Sequence, residues 1–166
     1  MNKELWLVRH GRTAANAEGV FSGWLDVALT PEGREQAAAL QPRLAEASFD
    51  GVWSSDLQRA VETARLAFGE PVQDERLREM HFGELEGLPW DRVSPEHARG
   101  LMTFKDFAPP GGETIPKVRE RLLAFIDSLA PGRHLIFSHG GAIRVLTAHL
   151  GEDRFVGNAE VLVVHF

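Results

Sequence analysis

Short apolar runs alternate with longer amphipathic stretches from one end of the chain to the other, the pattern of an α/β domain with a mainly parallel sheet. Five runs read as strands: Leu5–Arg9, Gly51–Ser54, Pro71–Asp74, His134–Ser138 and Val161–Phe166. The last could join as an antiparallel edge, a common addition to a parallel sheet. Thr30 is a good N-cap ahead of Pro31 and Glu32, and Ala37, Leu40, Leu44 and Ala47 then recur at helical spacing. A second helix is expected from Leu57 to Phe68, burying Leu57, Val61, Ala64 and Phe68. A third starts at Thr114 and carries Val118, Leu122, Phe125, Ile126 and Leu129; a fourth opens at Gly140-Gly141 and stops at Gly151. Glycines and prolines break the pattern between Asp74 and Glu113, where one helix near Ser94–Phe104 is expected. These segments imply a three-layer α/β/α fold. Residues 1–166 read as a single domain, with 75–113 as an insertion that serves as a lid or substrate-recognition segment.

Composition narrows the function. The chain has 166 residues and a net charge of −6, so no broad basic surface is on offer to nucleic acid or an anionic membrane. It has no cysteine, which removes disulfides, thiolate zinc sites and thiol nucleophiles. The Met-Asn-Lys-Glu start is unlike a signal peptide, and no apolar stretch approaches the roughly 20 residues of a bilayer span. A soluble cytoplasmic protein is expected. An exposed Val161–Phe166 strand could pair across a homodimer.

The first strand ends in Arg9-His10-Gly11 and the fourth in Ser138-His139-Gly140-Gly141. Ligands of open α/β sheets bind outside the carboxyl ends of the strands, so two histidines stand where chemistry is expected. Glycines after His139 would leave helix N-terminal amides free for an anion. Arg59 falls in the first turn of the second helix, where a cation is unfavourable unless a phosphate sits beside it; Asp56 is placed to cap that helix. The stretch Leu77–Gly87 holds three carboxylates, Glu79, Glu84 and Glu86, and their spacing does not choose an acid among them.

In sequence order, Leu7-Val8-Arg9-His10-Gly11-Arg12-Thr13 with Asn16 form the first of six blocks. Phe21–Thr30 with Gly33 and Gln36-Ala37, then Ser54-Ser55-Asp56-Leu57 with Arg59-Ala60 and Thr63-Ala64, follow. Leu77, Glu79, Phe82-Gly83 and Glu86-Gly87 make the fourth, Pro110–Thr114 the fifth, and Ser138–Gly141 with Arg144 the sixth. Together they resemble the histidine phosphatase superfamily, the phosphoglycerate mutase-like fold, and its short bacterial branch that includes α-ribazole-5′-phosphate phosphatases. The resemblance implies His10 as the nucleophile of a phosphohistidine mechanism, with Arg9, Arg59 and His139 around the phosphoryl oxygens. It implies Glu79 as general acid, then base. Asn16, Ser22, Gly23 and the Gly140 amide would add to the phosphate-binding wall. His10 is expected neutral, its tautomer fixed by a backbone acceptor, and His139 charged. No metal or cofactor is called for, and the partner is a small phosphorylated metabolite.

Arg92, Arg99 and Lys105 are the basic residues between Glu79 and Glu113, few for a mutase, so hydrolysis is the expected outcome. Phosphoglycerate mutase, a non-catalytic phospholigand-binding module and a metal-dependent hydrolase using His10 and His139 are the alternatives. Phe21, Trp24, His81, Phe82, Trp90, Met102 and Phe104 are candidates for a partly apolar pocket favouring a ring-bearing phosphate.

Overall fold

The structure is a computed structural model and describes residues 2–105 and 107–166. A five-stranded sheet runs in the order β3-β2-β4-β1-β5, with β1 (Lys3–Arg9), β2 (Gly51–Ser54), β3 (Val72–Gln73) and β4 (Gly132–Ser138) parallel. β5 (Val161–His165) is antiparallel to β1 at the edge. Side-chain alternation along the strands divides the core in two. Leu5, Leu7, Ile136, Leu162 and Val164 pack with α6 (Ile115–Ser128) and α7 (Gly140–His149). Val8, Leu135, Phe137 and Val161 pack on the other face with Leu44 of α3 (Gln41–Ala45) and Ala64 and Ala67 of α4 (Gln58–Ala67). The result is a three-layer α/β/α fold.

Two local readings are corrected, and one short helix is added. The helix that starts at the Thr30 cap does not run through to Ala47 but divides into α2 (Pro31–Ala38) and α3. Pro42 has no N–H to give and its ring crowds the carbonyl four residues back, so the helix breaks before it. Phe68 is exposed and packs edge-on against Phe49 rather than lying on a buried helix face. A one-turn helix α1 (Ala14–Glu18), which the apolar pattern gave no reason to expect, is held by reciprocal bonds between Thr13 and Asn16.

The described residues of segment 75–113 include three short 3₁₀ turns and α5 (Pro95–Thr103), and Phe82, Trp90, Met102 and Phe104 share a cavity with Arg9 at the end of β1. Leu85, Val93 and Phe107 anchor the segment in the α6–α7 core. Ser94 caps α5, accepting from His97 N at 3.3 Å. No helix among the described residues is long and apolar enough to cross a membrane.

Candidate active site

β1 and β4 pair with Arg9 opposite Ser138, so His10 and His139 leave neighbouring strands side by side. Both are buried, and their ring centroids lie 5.2 Å apart. Nδ1 of His10 is 2.7 Å from the Gly11 carbonyl oxygen. A carbonyl only accepts, so Nδ1 carries the hydrogen and Nε2 the lone pair. Burial first, and then the positive charge of Arg59, push His10 down to about 3, leaving a neutral ring at pH 7. The backbone beside it is crowded: a Cβ on Gly11 would overlap the Gly33 carbonyl in α2, so this close approach requires glycine. Gly11 N donates to Thr63 Oγ1 at 3.0 Å, and that hydroxyl donates to Arg59 O at 2.7 Å. The histidine turn is thereby tied to α4.

Arg59 is almost wholly buried. Its Nη1 and Nη2 donate to the carbonyl oxygens of Leu25 (2.8 Å) and Gly23 (2.7 Å), fixing the guanidinium plane against the 21–26 loop. Asp56 does not cap α4. The N-cap position falls on Leu57, whose side chain cannot accept, and Asp26 from that same loop accepts from Gln58 N at 2.7 Å. Asp56 instead forms a two-point ion pair with Arg78 at 2.7 and 2.5 Å.

Arg9 donates through Nη1 to Val156 O at 2.8 Å. Asn16 Oδ1 accepts from Thr13 N and Asn158 Nδ2, which leaves the amide hydrogens of Asn16 as its remaining binding capacity. Among the described residues, four buried side-chain nitrogens find no hydrogen-bond partner: Arg9 Nε, Arg59 Nε and both ring nitrogens of His139. Buried polar groups are nearly always paired, and four orphans around one histidine mark a place built for an acceptor-rich ligand. His139 is not charged in this structure. Burial, then the charges of Arg59 and its neighbours, hold it well below its ordinary value. The expectation of a charged His139 refers to the ring facing a phosphate, and anion binding tests it.

Glu79 settles over the start of α7. Its Oε2 accepts from Gly141 N, and its Oε1 from Ala142 N, both at 3.0 Å, with Met80 N adding a third bond at 2.8 Å. The helix amides expected to await an external anion thus hold this carboxylate. Glu86 bonds the amides of Trp24 (2.9 Å) and Phe82 (3.1 Å), and Glu84 is exposed, so neither is placed as Glu79 is.

A cavity of about 180 Å³ brings Arg9, His10, Asn16, Ser22, Gly23, Arg59 and Glu79 together. Gly140 lines an adjoining cavity that shares Arg9 with this one, and a Cβ on it would lie 3.1 Å from Arg9 Nε. Of the candidates for a partly apolar pocket, Trp90, Met102 and Phe104 line that adjoining cavity, Phe82 borders both, and Phe21 borders the first. Trp24 and His81 pack on each other at 4.7 Å, and Trp24 Nε1 donates to Glu79 O at 2.8 Å.

Sequence reasoning missed Arg121 of α6. It donates to the carbonyl oxygens of Arg76 (2.7 Å), Arg78 (2.8 Å) and Glu79 (2.8 Å) and pairs with Glu113 at 2.9 Å. This one side chain holds the strand of backbone that carries Glu79. No local pattern marks it, since an arginine on a helix reads as a solvated one. Among the described residues, no group of three or more His, Asp or Glu is arranged to hold a metal ion.

The profile of the Histidine phosphatase superfamily (branch 1) matches residues 5–161. The chain belongs to this superfamily. It is 32% identical over 165 residues to fructose-2,6-bisphosphatase TIGAR B of Danio rerio, a match that covers 94% of this chain and 63% of that protein. It is 37% identical over 158 residues to the adenosylcobalamin/alpha-ribazole phosphatase of Escherichia coli K12, covering 88% of this chain and 78% of that one. The crystal structure of TTHB049 from Thermus thermophilus superposes with a TM-score of 0.91 at 43% identity, covering 97% of this chain and 92% of the other. The fold and family are those of histidine-type phosphatases.

Proposed function

We propose that the chain hydrolyses a small phosphomonoester without a metal, through a phosphohistidine at His10. The observation that carries this reading is the set of four unpartnered buried nitrogens on Arg9, Arg59 and His139, next to a histidine whose Nε2 holds a lone pair. A phosphoryl group supplies the oxygens those donors lack, and charge building on its equatorial oxygens is stabilised by groups already oriented before reaction. His10 Nε2 attacks phosphorus in line as the P–O bond to the alcohol breaks, and Glu79, protonated at this step, gives its proton to the departing oxygen. Water then attacks the phosphohistidine, Glu79 takes the water proton, and the P–N bond breaks to release phosphate. Asn16, Ser22 and Gly23 border the oxygens on the open side. Segment 75–113 acts as the lid over this chemistry.

Hydrolysis is favoured over return of the phosphoryl group to a second anionic acceptor. Arg92, Arg99 and Lys105 are exposed, and none of them borders the two cavities at the site. The test is turnover and acid-labile phosphate labelling of the wild-type protein and His10→Ala, with and without excess chelator. Labelling and chelator-insensitive turnover that both vanish in His10→Ala support the reading. Full activity in that variant, or loss of wild-type turnover to chelator, overturns it.

A further inference from the structure

A second cavity of about 250 Å³ adjoins the first, and the two share Arg9, Glu79 and Phe82 in their walls. On the phosphatase reading above, the alcohol oxygen receives its proton at Glu79, so the alcohol itself occupies the second cavity. Its wall is largely aromatic and aliphatic: Phe82, Trp90, Met102 and Phe104 come from the 75–113 segment, and Phe155 from the loop before β5. Phe155 is 76% exposed and Met102 67%, large apolar surfaces left facing an open cavity.

The cations in this wall are Arg9, at the phosphate end, and Arg144. Arg144 has four of its five N–H donors committed: Nε and Nη2 to Asp153 (2.6 and 2.9 Å), Nη1 to Leu101 O (2.8 Å), and Nη2 also to Met102 O (3.0 Å). Its guanidinium carbon lies 4.2 Å from the Phe104 ring centre and 4.0 Å from that of Phe155. Phe104 adopts a left-handed backbone (φ 53°) at the end of α5, a conformation an L-residue keeps only where its surroundings hold it. Arg144 thus pins the last turn of α5 and joins two rings from separate segments into one wall.

We propose that this second cavity is the leaving-group subsite, and that the Phe104–Arg144–Phe155 cluster makes it selective for the monoester of an uncharged, ring-bearing alcohol. An apolar cavity of about 150 Å³ accepts benzene, so this one suits two fused rings. A carboxylate or second phosphate on the alcohol would meet ring faces, which carry negative charge, and an arginine already neutralised by Asp153.

Three esters of primary alcohols test this: ethyl phosphate, 2-(1-naphthyl)ethyl phosphate and 2-phosphoglycolate. The naphthylethyl ester is expected to exceed ethyl phosphate in kcat/KM by about 100-fold from apolar burial, and phosphoglycolate to be no better than ethyl phosphate. Phe155→Ala, at an exposed position, should cut the naphthylethyl-to-ethyl ratio about tenfold. Equal rates for the naphthylethyl and ethyl esters, preference for phosphoglycolate, or an unchanged ratio in Phe155→Ala overturns the proposal. Absence of turnover on all three esters counts against the phosphatase reading instead. Calorimetric binding of the naphthylethyl and ethyl esters then decides the subsite, with equal affinities overturning it and tighter naphthylethyl binding supporting it.

Discussion

The Glu79 carboxylate rests on the amide of Gly141, 3.0 Å from Oε2, at a position where any side chain would intrude: a Cβ on Gly141 would lie 2.5 Å from Oε1. Gly141→Ala should therefore displace the carboxylate while suiting the helix, where alanine is favoured over glycine by about 1 kcal/mol. The expected result is an unchanged or raised thermal midpoint with kcat on alkyl phosphates reduced by up to about 100-fold, the scale of a 1 Å misplacement. p-Nitrophenyl phosphate, whose leaving group needs little protonation, should lose far less. Equal losses on both esters would remove Glu79 from the acid role.

Arg121 makes a separate prediction, because it joins the Glu79 segment to α6 through three carbonyl oxygens and Glu113. Arg121→Met leaves those acceptors unpaired and should cost about 3 kcal/mol in urea unfolding. Arg121→Lys, which cannot reproduce the forked geometry, should recover part of the stability but little of the activity on alkyl phosphates. A fully active, fully stable Met variant would show that the segment holds itself in place.

The two buried histidines give stability a definite pH dependence. Both are held below their ordinary value of 6.5, His10 down to about 3, so the folded chain binds fewer protons than the unfolded one under mildly acidic conditions. Stability should be flat above pH 6.5 and fall as pH drops below it, by about 1.4 kcal/mol per pH unit for each ring. Urea midpoints at pH 7, 6 and 5 read this directly, and His10→Asn should remove one proton's share of the slope. Constant stability across that range would mean that the rings are charged when folded.

Filling the cavity should reverse the state of His139. A dianion placed against its two unpartnered nitrogens favours the imidazolium, so binding should take up a proton. Sulfate, which does not titrate near neutrality, is a suitable probe at pH 6.5. Calorimetry in buffers of different ionisation enthalpy should report net proton uptake in the wild type and less in His139→Gln. No uptake in the wild type would leave the arginines as the whole of the phosphate's positive surroundings.

How far the site could be read from the sequence varied with the range of the interactions involved. His10 and His139 were visible because an apolar strand run ends at each, a signal contained within a few residues. Choosing Glu79 over Glu84 and Glu86 from spacing was not feasible, since the choice depends on the start of α7 some sixty residues away. The capping of α4 failed for the same reason: Asp26 lies 32 residues before the amide it accepts from. Pro42 breaks the first long helix by a local rule, its missing N–H and its ring, so that boundary is legible in the sequence. Phe155 lay outside the segment expected to shape the substrate pocket, and its only mark is an exposed ring in a loop.

The parallel pairing of β1 with β4 also fixes a length. Neighbouring strands in any sheet lie about 4.8 Å apart, and the 5.2 Å between the His10 and His139 rings is close to that interval. The peptide ladder sets the spacing of the two backbones, and the bond from His10 Nδ1 to the Gly11 carbonyl fixes the turn of the first ring within it. Core substitutions at Leu7 or Ile136 can lower the fraction of molecules that fold while each folded molecule keeps the same histidine spacing. Drift among related chains should then appear in stability and in the leaving-group wall long before it appears between these two rings.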